Sequence, residues 1–178
     1  MPDYAAIAKA QFDSETQKAN FADIPFAELM QKVYPHWMGY SPETPPIKEI
    51  FTYGQPNFTT TNVPQGVTHG LGNYPSAVGL QQALFNDALK DDQSKGAFVA
   101  MHEAAHVGQG ARGNFLAQPE KSTLAAFPLK QLLSPYATYS SLSSPIEREA
   151  DLMASMMQNL LQVKKQNDFE TSIGVRPH

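Results

Sequence analysis

The stretch Ser94-Lys95-Gly96-Ala97-Phe98-Val99-Ala100-Met101-His102-Glu103-Ala104-Ala105-His106-Val107 sets two histidines and a glutamate inside an apolar run. Phe98, Met101 and Ala105 recur at helical spacing, so the stretch predicts a buried helix from Ser94 to Val107, with Gly108 or Gly110 as its stop. On such a helix His102 and His106 project from one face a single turn apart, and both imidazoles can reach the same metal ion. Glu103 lies about 100° further round, beside that ion rather than on it. From there its carboxylate can hold a water, take the proton as the water attacks a carbonyl, and pass it to a leaving amine. Burying these three polar side chains among Phe98, Val99, Ala100 and Met101 is costly unless something satisfies them, and a metal ion would.

A catalytic zinc needs a third protein ligand and one open position. Gln109 and Arg112 stand where HExxHxxGxxH would require Gly and His, which excludes the metzincin pattern. The chain contains no cysteine, so no thiolate can serve as ligand or nucleophile and no disulfide can form. A carboxylate on a later helix remains, and Ser144-Pro145-Ile146-Glu147-Arg148-Glu149-Ala150-Asp151 offers one. Glu147 and Asp151 fall at i and i+4, bordering an apolar stripe of Ala150, Ala154, Met157 and Leu161 that packs inward. This suits Glu147 as ligand and Asp151 as the acceptor that orients a ligand imidazole through its other nitrogen. Two other readings stand beside it. Glu149, on the opposite edge of the stripe, is an alternative ligand, and Ser144-x-x-Glu147 ahead of an apolar run is also a capping box.

Outward from these two helices, Tyr4 to Lys18 and Pro25 to Val33 carry short helical patterns, with Pro25 at a first helical position. Six prolines between Tyr34 and Pro64 argue against long regular elements there. Ile47–Tyr53 and Phe58–Val63 suit strands, and Gly54–Asn57 between them suits a turn, so a small hairpin is expected. Gly66 to Gly79 is glycine-rich, as befits backbone running close to something else. Within it Asn73–Leu80 is a candidate extended edge to which a substrate strand could add. Leu80–Leu89 reads as helix. Residues 111–143 form a long polar, proline-punctuated connection with a helix around Ser122–Leu133. The last helix runs from Pro145 to about Gln166.

The whole is expected to be one α+β domain. It has N-terminal helices and a Pro/aromatic-rich region over 1–64, a mainly helical core with a few short strands over 65–166, and a tail over 167–178. The 178 residues suffice for a real core, and 42% hydrophobic with 17% charged residues is the balance of a folded chain. A net charge of −4, with no basic cluster beyond Lys164-Lys165, leaves no electrostatic footprint for nucleic acid. The first thirty residues lack the pattern of a secretory signal, and no run reaches the roughly 20 apolar residues of a membrane span. A cytoplasmic protein, or one exported without a recognisable signal, is expected.

HEAAHVGQ (102–109) followed by EREADLMA (147–154) resembles the gluzincin pattern of HExxH plus ExxxD, as in thermolysin-like enzymes and prenyl-protein-processing membrane peptidases. It is most similar to small bacterial metallopeptidase-like domains whose helices read HExxHxxQ and then ExEADxxA. The resemblance covers about residues 97–157. It implies a zincin-like core holding one Zn²⁺ on His102, His106 and Glu147, with Glu103 as general base, Asp151 behind the ligands, and a peptide or protein as substrate. His69, Tyr136, Tyr139 and Arg148 are eligible to stabilise a developing oxyanion, and the sequence does not choose among them. Two competing expectations differ in partner or chemistry. One is a non-catalytic, zinc-stabilised binding module, against which the intact Glu103 argues. The other is a regulatory or toxin-associated peptidase with one dedicated protein target.

Overall fold

The protein is described by a computed structural model over residues 17–38, 47, 49–61, 64–69, 77–111, 136 and 145–174. Strand β1 (Gln17–Asn20) leads through a single 3-10 turn (Phe21–Asp23) into helix α1 (Ala27–Met38). Strands β2 (Glu49–Tyr53), β3 (Gly66–His69) and β4 (Ala77–Gln81) follow. Helices α2 (Gln82–Lys90), α3 (Lys95–Ala111) and α4 (Pro145–Ser172) complete the described chain. The architecture is mixed α+β and mostly helical, as the sequence implies.

The four strands form one sheet in the order β1-β2-β4-β3. β1 is antiparallel to β2, β4 parallel to β2 with Ile50 opposite Val78, and β3 antiparallel to β4 with Val67 opposite Gly79. The chain therefore passes from β2 to the far edge as β3 and returns as β4 between the two. A strand paired on both sides and covered by helices reads as a continuous apolar run. β4 fits this, since Val78 and Leu80 are fully buried and Ile50 lies beside them. Helix α3 packs on β3 and β4 and, on its other side, on α4. Ala97, Ala100, Ala104 and Ala105 of α3 are buried in one core with Ala150 and Ala154 of α4, and Met101, Met153 and Met157 help to fill it. Each fully buried methionine contributes about 1.5–3 kcal/mol relative to exposure. Tyr34 of α1 joins the same core, and its hydroxyl donates to the Met101 carbonyl at 3.1 Å.

Several expectations are corrected. The described part of the expected edge Asn73–Leu80 is not free: Ala77–Gln81 is the strand flanked by β2 and β3, and β3 is outermost, while residues 73–76 lie outside the described residues. The hairpin between Ile47–Tyr53 and Phe58–Val63 is not formed, because β2 already pairs with β1 and β4. Phe58–Thr61 runs without regular structure, and the buried Gln81 side chain holds it instead, accepting from Thr60 N at 2.8 Å and donating to Thr60 O at 2.9 Å. Gly54 does turn, at φ +77°. Gln17 and Lys18, expected to end a helix, pair with Thr52 and Phe51 as strand, while the rest of Tyr4–Lys18 lies outside the described residues. Pro25 precedes α1 rather than opening it, and the helix runs on through Pro35 to Met38. Leu80 and Gln81 belong to β4 rather than to the helix after it.

The two site helices are both longer than expected. α3 passes through Gly108 and Gly110 to Ala111, and α4 continues six residues past Gln166, into what was expected to be the tail. In α3 the turn past Gly108 is held by Gln109, which bonds Ile146 O and Glu149 Oε1 of α4, against the roughly 1 kcal/mol that each interior glycine costs. In the distal part of α4, exposed i,i+4 pairs such as Lys164–Asp168 support the extra turns. The expected helix around Ser122–Leu133 lies outside the described residues.

Candidate metal centre

The α3 helix begins where its sequence places a cap: Ser94 Oγ accepts from Ala97 N at 3.0 Å. Two turns on, His102 and His106 emerge together toward α4, with rings 4.7 Å apart between centroids and nearly perpendicular. Glu147, in the first turn of α4, meets both. Its Oε2 lies 3.0 Å from His102 Nε2 and its Oε1 3.3 Å from His106 Nε2, while the two Nε2 atoms are 3.0 Å apart. The three side chains each offer one ligand atom to a common point, all within 4.8 Å of one another.

The outer nitrogens of the two rings have defined partners. His102 Nδ1 lies 2.8 Å from Asp151 Oδ1, and a carboxylate oxygen can only accept, so the ring donates. His106 Nδ1 lies 2.7 Å from Gln109 Oε1, while the same amide's Nε2 donates to Ile146 O at 3.0 Å and to Glu149 Oε1 at 3.2 Å. That assignment turns the Gln109 oxygen toward His106, so this ring also donates from Nδ1. In the neutral rings both Nε2 atoms then carry lone pairs, and these face each other and a carboxylate. The cluster is made of acceptors and calls for a cation at its centre. Ligand atoms about 2.0–2.2 Å from a tetrahedral zinc stand about 3.3–3.6 Å apart, close to the spacings found, so the donor set fits a divalent metal ion.

The electrostatics say the same. Burial opposes charge on His102, but hydrogen bonds to Asp151 and Glu147, with the nearby Glu103 charge, carry its pKa up to about 10. His106 is raised too, with burial again opposing and Glu147 prevailing. Glu147 is held well below the usual carboxylate range, chiefly by hydrogen bonds to the two histidines. A site that holds protons this firmly has the field to hold a metal ion in their place.

Glu103 takes no part in the ligand cluster. It is buried and turns toward β3, where the Thr68 hydroxyl lies 2.7 Å from its Oε2 and 2.9 Å from its own backbone carbonyl. The backbone of β3 comes so near that a Cβ on Gly66 would stand 2.7 Å from both Glu103 Cγ and Val99 Cγ1. Gly66 thus serves as glycine-rich backbone running close to something else, and that something is the expected base. Burial and the Glu103 charge raise the Tyr53 phenol above its ordinary pKa, and its hydroxyl donates to Pro64 O at 2.7 Å.

The structure brings the three expected ligands together. His102, His106 and Glu147 converge, Asp151 stands behind His102, and Glu103 lies beside them. Glu149 is not a ligand; it is buried and accepts from Gln109. Sequence reasoning gave no role to Gln109 or Thr68. Gln109 was marked as the last residue of the HExxHxxQ pattern without being given a task, and nothing local marks Thr68. Of the oxyanion candidates, Tyr136 packs against Phe98 with the rings tilted and 5.9 Å apart between centroids, and Phe98 in turn lies 6.3 Å from the His102 ring. The side chain of His69 and the whole of Tyr139 lie outside the described residues. Ser144 does also, and with it the capping-box reading of Glu147. No family model, curated protein or solved structure matches the chain.

Proposed function

We propose that the protein is a zinc-dependent endopeptidase of the gluzincin kind, with His102, His106 and Glu147 holding one Zn²⁺ and Glu103 acting as general base. The observation that carries this reading is the separation of roles on one helix. Three ligands leave room for a fourth position, and a buried carboxylate that binds no ligand atom stands next to them. A purely structural zinc would need no such group and would close its fourth position with protein. Glu147 keeps 43% of its side chain exposed, so the cluster is not sealed from solvent.

A bound zinc supplies Lewis acidity, lowering the pKa of a water and polarising a carbonyl. The chain's own residues do the rest. Glu103, steadied by Thr68, accepts a proton from the attacking water and delivers it to the amine as the C–N bond breaks. Asp151 and Gln109 keep both imidazoles in the tautomer whose Nε2 is free to ligate. β3 is the outer strand of the sheet, packed against α3, and its far edge is unpaired among the described residues. An extended peptide or unfolded protein segment could add there as a further strand and reach Glu103. On this reading the docking edge is β3 rather than Asn73–Leu80.

The test is metal content by mass spectrometry on native protein beside His106→Ala and Glu147→Ala, followed by peptide cleavage against Glu103→Gln. About one zinc in the native protein and none in either variant, with cleavage lost in Glu103→Gln, is the expected result. Native protein that takes up no zinc when it is supplied would sink the metal centre. Zinc without any cleavage of peptides or unfolded proteins would leave only a zinc-stabilised module.

A further inference from the structure

We infer that Gln109 is the positioning residue for two of the three ligands: its amide oxygen sets His106, and its amide nitrogen seats the turn that carries Glu147. This rests on the metal centre proposed above. Gln109 is 1% exposed, and all three of its polar contacts are made within the α3–α4 interface. The amide can lie only one way round. Reversed, its NH₂ would face His106 Nδ1, and its oxygen would face Ile146 O and Glu149 Oε1, trading two hydrogen bonds for two acceptor–acceptor contacts. His106 therefore has one tautomer available when neutral, with Nε2 directed at His102 and Glu147.

The nitrogen end acts on the other helix. Ile146 immediately precedes Glu147 and Glu149 follows it by two, so the amide grips the first turn of α4 on both sides of the ligand. Asp151 acts on the other ring, with its Oδ1 2.8 Å from His102 Nδ1. This role also explains why α3 does not stop at Gly108. The turn beyond it is where Gln109 must be held, and the helix pays two interior glycines to carry it there.

The experiment compares zinc affinity, by chelator competition, in wild type, Gln109→Met and Gln109→Glu. Long-range ¹H–¹⁵N spectra of the zinc-loaded proteins report which nitrogen of His106 bears the proton. Gln109→Met, near in shape but without the amide, is expected to bind zinc about 10–100-fold more weakly and to lose the fixed Nδ1–H. Gln109→Glu keeps an acceptor and loses both donors. It should retain Nδ1–H on His106 yet still bind zinc more weakly, which a glutamine that merely stabilised the interface would not produce. Helix content of the metal-free variants, by circular dichroism, is expected to match wild type. The role is overturned if Gln109→Met binds zinc within about twofold of wild type with the tautomer unchanged, or if Gln109→Glu shows wild-type affinity. It is overturned too if affinity falls only in step with lost helix content. Wild type that binds no zinc would instead remove the metal centre itself, an outcome separable from these because it needs no variant.

Discussion

The two faces of helix α3 are built by different means. Toward α4, His102, His106 and Gln109 meet Asp151, Glu147, Ile146 O and Glu149 in a web of polar contacts, with the outer ring nitrogens bonded and the inner ones turned to a common point. Toward β3, Glu103 meets one hydroxyl and one glycine. The first face is one that could hold a cation through electrostatics; the second holds a single carboxylate through shape. A turn of about 100° between neighbouring residues is enough to separate them, so binding and turnover should fail independently.

The strongest way to break that comparison is Glu103→Gln. The amide keeps the volume and an oxygen for Thr68 but cannot take a proton, so turnover is expected to fall about 10²–10⁴-fold. Zinc content should stay at that of wild type, because Glu103 contributes no ligand atom. If zinc is lost along with activity, the two faces are not independent.

On the ligand face, Asp151→Ala should weaken zinc binding about 10–100-fold by freeing the His102 ring, with the loss read by chelator competition. The same face makes the metal-free protein sensitive to alkali. The His102 pKa is raised from 6.5 to about 10, so the stability it contributes is fully present below about pH 6.5 and is lost as pH rises through about 10. Glu147 is lowered from 4.5, so its contribution is present above about pH 4.5 and lost as pH falls further. The Tm of chelator-treated protein should therefore decline between pH 7 and 10, while zinc-loaded protein, in which the ion replaces those protons, should show little slope. Equal slopes with and without zinc would mean that the protons and the ion do not share the site.

On the base face the sharpest probe is steric. In Gly66→Ala the new methyl must displace Glu103 Cγ or Val99 Cγ1, at a cost of about 1–3 kcal/mol in stability. Turnover should fall with it while zinc affinity holds. A variant as active and as stable as wild type would show that β3 yields easily and that the base is placed by Thr68 alone.

How much of this was legible depended on whether the interaction was local. His102, Glu103 and His106 share one helix turn, and Glu147 and Asp151 share another, so 3.6-residue periodicity alone put each set on a face. The pairing of the two helices followed from the chemistry of an unfilled ligand position. The sheet was a different matter. Whether Ala77–Gln81 is an edge or lies between two strands depends on partners 8 to 28 residues away, from His69 opposite Ala77 to Ile50 beside Val78. Strand propensity is silent on that choice. The stop of α3 was misread for the same reason: Gly108 and Gly110 argue locally for an end, and only the distant first turn of α4 explains why Gln109 holds the helix beyond them. Thr68 reached Glu103 from 35 residues away with no local signature at all.

The smallest expected effect sharpens the comparison by leaving both faces alone. Lys165, on the distal part of α4, pairs with Asp92 just before α3 at 2.7 Å, with 58% of the lysine side chain exposed. The bond ties the same two helices together, but at the end away from the metal ligands and without touching either polar cluster. An exposed pair of this kind contributes up to about 1 kcal/mol, so Lys165→Ala should lower Tm slightly and leave zinc affinity and turnover unchanged. If zinc affinity fell as well, the ligands would be responding to the helix packing as a whole. The hydrogen bonds of Asp151 and Gln109 would then be one part of a diffuse restraint rather than its source.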